Sequence, residues 1–194
     1  MSLLLSSWYA RDTVDVARDL LGRHLMRGNV VLRITEVEAY LGPHDSAAHT
    51  RMGHTPRNAP MWGPGGHAYI YLCYGIHSML NVVTGNGDGA AVLIRSCEVV
   101  RGLALVRRRR KAAAGPMLVA GPGKVGQALA LSTQLSGHAL FSPGGLELHE
   151  GTPVSSIRSG ARIGIAYAAR KDALASLRFA DGESSCVTYR SALL

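Results

Sequence analysis

Cysteine is scarce. Cys73, Cys97 and Cys186 are the only three in 194 residues, they are widely spaced, and no CxxC pair exists. That excludes a zinc ribbon and a disulfide framework and fits a reducing cytoplasm. Cys73 and Cys97 sit in apolar runs and are expected to be buried thiols. Long hydrophobic runs are missing as well. No stretch approaches the ~18 residues of a membrane span, and Met1 to Leu5 is too short for the apolar core of a signal peptide. A protein that is neither membrane-bound nor exported is expected. Eight histidines are present, but no pair has the ligand context of an H-E-x-x-H or H-x3-5-H metal site, and the H-x-E with P-C-x-x-C pattern of zinc deaminases is missing. Gly121-Pro-Gly-Lys124 is not a nucleotide-binding P-loop, because Val125 follows the lysine where Ser or Thr is required. It reads as a glycine-rich turn before a helix, whose N–H groups and one ammonium suit a phosphate. No cofactor is expected.

Acidic residues are few against basic ones, 13 to 21, for a net charge of +8 and a pI of about 9.9. Eighteen of the 21 cations are arginine, whose guanidinium matches phosphate oxygens bidentately. Hydrophobic content of 47% with 18% charged residues excludes a disordered chain. The length suits one domain, residues 1–194, able to bury most of its apolar surface.

Asp12 or Thr13 caps a predicted helix through Leu21, with Val14, Ala17, Leu20 and Leu21 at helical spacing and Gly22 as its stop. Val30–Val37, Ala68–Leu72 and Ala90–Ile94 are dense in β-branched and apolar residues and read as strands. Thr84–Gly89 reads as a turn. Gly42–Gly66 is a long loop punctuated by proline, where structureless length usually carries function. Glu98–Arg110 looks helical and runs into the tract Arg107–Lys111, followed by a flexible Ala112-Ala-Ala-Gly-Pro116 segment. Lys124–Leu131 is a further predicted helix. The tail alternates expected strands, Ala161–Ala166, Leu174–Phe179 and Ser185–Tyr189, with polar turns. No repeat appears. The expected fold is α/β in the α+β sense: one compact domain with antiparallel strands and flanking helices.

Aromatic residues make up only 6% of the chain, yet four of the seven tyrosines lie between Tyr40 and Tyr74. Glu36, Glu38 and Tyr40 alternate on one strand and therefore share a face, directly before the turn Gly42-Pro43. Tyr69 and Tyr71 share a face of a second strand, and Tyr74 falls just beyond it. Tyr69 reads as an ordinary core tyrosine. A carboxylate at a strand end, facing aromatic rings, on a basic chain, suits chemistry on a nucleobase bound by stacking. The tract Arg107–Lys111 reads equally as a solvated helix end and as a non-specific phosphate clamp.

Glu36-Val-Glu38-Ala-Tyr40-Leu-Gly-Pro, Ala47-Ala-His49, Thr55-Pro-Arg-Asn58, Tyr69-Ile-Tyr71, Tyr74-Gly75, Asn81 and Gly87-Asp-Gly-Ala with Leu93-Ile-Arg95, in that order, resemble the alkyladenine (3-methyladenine, methylpurine) DNA glycosylase family. The resemblance is dense from Ala17 to Arg95, resumes at Gly121-Pro-Gly-Lys124, and is weak at Arg162-Ile-Gly164 and Leu177-Arg-Phe179. It implies a curved, mainly antiparallel sheet similar to a formyltransferase C-terminal domain, and excision of alkylated or deaminated purines from double-stranded DNA by a monomer. It implies that Glu38 activates the attacking water and Arg95 helps to hold it. Tyr40 and Tyr71 stack on the flipped base with His49 beside them, and Ala47 and the His49 N–H face its edge. Asn81 crowds the exocyclic amine of guanine, Tyr74 is the wedge in the duplex, and Lys124 touches the DNA backbone. Further backbone contacts are expected from Arg51 and Arg57 and from Arg108 and Arg109 in the basic tract. His77 stands where a tyrosine can stand, and its role is left open. The rival readings are a non-catalytic nucleic-acid-binding module and a tRNA-binding domain of formyltransferase type.

Overall fold

The computed structural model describes residues 2–111 and 115–194. Its elements are, in order, α1 (Ser6–Tyr9), α2 (Thr13–Leu20), β1 (His24–Arg27), β2 (Val30–Tyr40), β3 (Ala68–Cys73), β4 (His77–Val83), β5 (Ala91–Arg101), α3 (Leu103–Arg110), α4 (Pro122–Ala128), β6 (Glu147–His149), β7 (Ile157–Gly160), α5 (Arg170–Ala173) and β8 (Arg178–Asp181). The strands form one antiparallel sheet in the order β3-β4-β5-β2-β1-β6. The sheet branches at β2, whose residues Glu36, Val37 and Glu38 pair with β8, which in turn pairs with β7.

Strand alternation divides this sheet into two chemically different faces. Val37, Ala39, Ala68, Ile70, Leu80, Val82, Val92 and Ile94 point into the main core, where α2 packs on β2 and α4 on β4 and β5. The alternate positions, Glu38 and Tyr40 on β2, Tyr69 and Tyr71 on β3, Asn81 on β4 and Leu93 and Arg95 on β5, carry the polar and aromatic residues. Cross-strand register sets these side by side, with Tyr69 opposite Asn81, Asn81 opposite Leu93 and Leu93 opposite Glu38. The sheet therefore gathers the candidate site residues on one face while the other face supplies stability.

The α2 prediction is met. Asp12 accepts from Val14 N at 2.8 Å and Asp15 N at 3.2 Å, a cap worth about 1 kcal/mol. Gly22 turns the chain at φ +84°, where a Cβ would run into the Thr152 carbonyl. The three predicted strands are also present, with β2 and β5 longer than expected.

Glu98–Arg101 is not helical, because it continues β5 opposite β2, with Glu98 beside Arg33. Gly102, at φ +87°, breaks the strand, and only then does α3 begin. The helix α4 starts earlier than predicted, with Pro122 in its first turn, and stops at Ala128. In the tail, Ala161–Ala166 and Ser185–Tyr189 are not strands, and the expected Leu174–Phe179 strand is shifted to Arg178–Asp181. Both irregular segments turn polar groups towards β2 instead of pairing with a neighbour. Cys97 is buried but Cys73, at the end of β3, is only half-buried. Of the segment 112–116, residues 112–114 lie outside the described residues. Among the described residues no helix is long and apolar enough to cross a membrane.

Candidate active site

Two carboxylates and one guanidinium form the centre. Arg95 reaches from β5 between Glu36 and Glu38, its Nε 3.0 Å from Glu36 Oε1 and its Nη1 3.1 Å from Glu38 Oε1. All three side chains are buried, so the pairing has to compensate a large desolvation cost. Glu36 is further held by the Ser96 hydroxyl at 2.6 Å, the Thr188 N–H at 2.8 Å and the Thr188 hydroxyl at 2.7 Å, with Arg178 Nε 3.8 Å away. Glu38 Oε1 also accepts the Ile163 N–H at 2.7 Å, and Glu38 Oε2 accepts the Tyr40 hydroxyl at 2.9 Å. Burial pushes the Glu38 carboxyl above the ordinary glutamate range, and Arg95, the Ile163 N–H and the Tyr40 hydroxyl pull against it. Burial and the neighbouring Glu38 raise the Tyr40 phenol well above its ordinary value, so it stays a hydrogen-bond donor. Burial weakens the charge on Arg95, but Glu38 and Glu36 outweigh that effect and hold its proton more firmly than usual.

In front of this cluster lies a cavity of about 540 Å³, lined by Tyr40, Ala47, His49, Tyr71, Asn81 and Arg95 among others, with Tyr74 at its rim. That volume is ordinary for a small-molecule site. Its side wall is aromatic. The Tyr69 and Tyr71 rings stack at 5.6 Å, and the His49 ring meets Tyr71 edge-on at 4.4 Å. The Tyr69 hydroxyl lies 2.9 Å from His49 Nδ1. Burial first, then the positive fields of Arg57 and Arg51, lower the His49 pKa from its ordinary value, which leaves a neutral ring at pH 7. Asn81 is fixed by donating its Nδ2 to the Tyr69 carbonyl at 3.1 Å. Ala47 is set by its N–H to Asp45 at 3.0 Å. Glu38 itself has no exposed surface and sits behind Tyr40, Arg95 and Ile163. Among the described residues no group of His, Cys, Asp and Glu is placed to hold a metal.

The structure thus brings Glu38, Arg95, Tyr40, Ala47, His49, Tyr71 and Asn81 together around one cavity. Tyr74 stands apart at the tip of the β3–β4 hairpin, 91% exposed. Tyr74 and Gly75 both take positive φ, 51° and 71°, which turns the chain tightly enough to project the ring. Ile76 beside it is also exposed. His77, just beyond, is exposed and lies over Gly123 of α4, which braces the base of the hairpin. Arg57 lines the cavity and approaches Tyr71, while Arg51 lies over the Tyr167 ring at 5.1 Å. The Lys124 ammonium donates to the Met117 carbonyl at 3.0 Å.

The basic tract divides in two. Arg107 and Arg108 are exposed. Arg109 donates to the Ala128 carbonyl at 2.7 Å and Arg110 to the Leu118 carbonyl at 3.0 Å. Arg109 therefore neutralises the C-terminal end of α4, where a cation is favoured.

Several site residues escaped the sequence reading. Tyr69 is buried as a core tyrosine would be, yet it also orients His49 and lines the cavity. Asp45, Arg162, Ile163, Tyr167, Arg178 and Thr188 reach the site from loops and the tail. Only the weak Arg162-Ile-Gly164 and Leu177-Arg-Phe179 similarities signalled any of them.

Comparison with known proteins is consistent across the chain. The family model for methylpurine-DNA glycosylase matches residues 7–185. A Nitrosococcus oceani protein named "Putative 3-methyladenine DNA glycosylase" is 54% identical over 192 residues, covering 98% of this chain and 96% of that one. The "DNA-3-methyladenine glycosylase" of Arabidopsis thaliana is 52% identical over 191 residues, covering 97% of this chain and 75% of that one. A Methanocella arvoryzae protein, named like the first, is 43% identical over 197 residues, covering 98% of each.

Proposed function

The chain belongs to the methylpurine-DNA glycosylase family, and on that premise we propose that it excises damaged purines from double-stranded DNA by hydrolysing the N-glycosidic bond. The substrates are alkylated or deaminated bases such as 3-methyladenine, 7-methylguanine and hypoxanthine, and the product is an abasic site. The observation that carries this reading is a buried carboxylate, Glu38, clamped by Arg95 behind a tyrosine-lined cavity.

Cleavage of this bond passes through an oxocarbenium-like state, which a carboxylate stabilises by charge while it takes a proton from the attacking water. Burial raises the affinity of Glu38 for that proton, and Arg95 pulls the other way and favours the ionised carboxylate. The water enters where Tyr40, Arg95 and Ile163 meet in front of Glu38. A base alkylated at N3 or N7 is already cationic, so it leaves without a strong general acid. Extrusion of the nucleotide costs a few kcal/mol, offset by stacking on Tyr40 and Tyr71 at about 1–3 kcal/mol per base and by Tyr74 filling the gap in the duplex. Asn81 obstructs the exocyclic amine that distinguishes guanine from hypoxanthine.

The nucleophile is water. A lyase needs an amine for a Schiff base; the chain has three lysines, Lys111, Lys124 and Lys171, and none lines the cavity. Duplexes carrying single lesions test the proposal. Release of free 3-methyladenine or hypoxanthine, with no protein–DNA adduct trapped by borohydride, is the expected result. Tight binding of lesion DNA with no base release would leave only a binding module.

A further inference from the structure

Behind the Tyr40 ring lies an ion pair with no part in the chemistry just described. Arg162, with its side chain fully buried, forms a two-pronged pair with Asp45, its Nη2 2.9 Å from Asp45 Oδ1 and its Nη1 against Oδ2. Each partner is committed to a different piece of the site. Asp45 accepts the Ala47 N–H at 3.0 Å and the Leu41 N–H at 3.1 Å, and so sets the loop that borders the cavity. Arg162 donates to the Ala39 carbonyl at 2.8 Å, just before Tyr40, and to the Asp172 carbonyl at 3.2 Å. Its guanidinium lies over the Tyr40 ring at 4.7 Å. Tyr40 lines the cavity and Arg162 does not, so the guanidinium backs the ring. The residue after Arg162 is Ile163, whose N–H is 2.7 Å from Glu38 Oε1.

We propose that the Asp45–Arg162 pair is a positioning joint that couples the seat of the base to the orientation of Glu38. A base that presses on Tyr40 or on the Ala47 loop loads this pair. The pair in turn holds the Ile163 N–H, and through the Tyr40 hydroxyl the second carboxylate oxygen, in register with the reacting carbon. Neither residue touches the base or the water. A cation stacked on an aromatic ring is attracted to its face, and the two-pronged geometry fixes the guanidinium plane and with it the tilt of the ring.

The inference rests on the glycosylase reading, so its test separates the two. Single-turnover base release from 7-methylguanine duplexes is measured beside binding to a duplex carrying a tetrahydrofuran abasic analogue, which needs no base seat. The variants are Arg162→Lys, which keeps the charge and loses the fork, and the neutral double change Asp45→Asn with Arg162→Gln, which leaves no buried charge uncompensated. A misplacement of about 1 Å costs roughly 10²-fold in rate, so the double variant should lose about two orders of magnitude in release, with Arg162→Lys in between. Analogue binding should hold within about threefold of wild type. Release within about threefold of wild type in the folded double variant overturns the joint. So does a parallel loss of release and analogue binding, or failure of both variants to fold, because the pair is then a folding element. If the wild-type protein releases no base at all, the glycosylase reading fails instead.

Discussion

Replacing Tyr40 by Phe removes one oxygen and leaves the ring that backs the cavity. The hydroxyl donates to Glu38 Oε2 at 2.9 Å, and a hydrogen bond to a charged group is worth about 1.5–3 kcal/mol. One pKa unit corresponds to about 1.4 kcal/mol. The Ile163 N–H and Arg95 remain on Oε1, so the low end of that range applies and the Glu38 pKa rises by about one unit. The sign follows from the chemistry. Glu38 acts as a base and must be ionised, so the rate falls as pH drops through its pKa, and a raised pKa moves that acid limb to higher pH. The assay is single-turnover release of 7-methylguanine across a pH series, since its fixed charge removes any need to protonate the leaving group. Expected are an acid limb shifted up by about one unit and a plateau rate lowered by less than about tenfold, because Oε2 loses its tether while the Ile163 N–H and Arg95 still hold Oε1. An unmoved acid limb, or one shifted to lower pH, would refute the argument that the hydroxyl favours ionised Glu38.

Tyr74→Ala takes away an exposed ring at the hairpin tip and the cavity rim and leaves the stacked Tyr69 and Tyr71 rings in place. Stopped-flow fluorescence of a lesion base should then show a lower flipping equilibrium, and unchanged flipping counts against the wedge. The two halves of the basic tract should behave differently. Arg108→Ala, at an exposed site, should flatten the log–log salt dependence of duplex binding by about one unit if the residue meets phosphate, without altering lesion preference. Arg109→Ala should lower thermal stability by about 1 kcal/mol, because it uncaps the Ala128 carbonyl at a helix end. Equal salt slopes for wild type and Arg108→Ala would leave the exposed half without a DNA role.

The sequence reading succeeded where structure is local. Alternation of Glu36, Glu38 and Tyr40 on a β-branched run placed three side chains on one face, and a shared strand did the same for Tyr69 and Tyr71. Asp12 and Gly22 bracketed α2 by their own capping chemistry. It failed where the border between two elements was misplaced. Glu98–Arg101, with the β-branched Val99 and Val100, belongs with the strand before it and not with the helix after it; pairing with β2 and Arg33 holds it extended, and Gly102 marks the border. The strand β1 and the edge strand β6 are too short to show a period. The tail was misread for a different reason. Ile163 and Thr188 offer backbone N–H groups to Glu38 and Glu36, and a backbone donor has no residue type to betray it. Arg162 and Asp45 lie 117 residues apart, so their union is a property of topology and not of any motif.

The measurement that bears most directly on the central claim is base release by Glu38→Gln, with lesion-DNA binding measured on the same protein. Glutamine keeps the size of the side chain and its place against Arg95 and Ile163, while losing the charge and the basicity. Binding of hypoxanthine-containing duplex should persist, and single-turnover release should fall by about 10²–10⁴-fold, the usual worth of a positioned general base. Release by Glu38→Gln within about tenfold of wild type would contradict the assignment of Glu38 as the group that activates water.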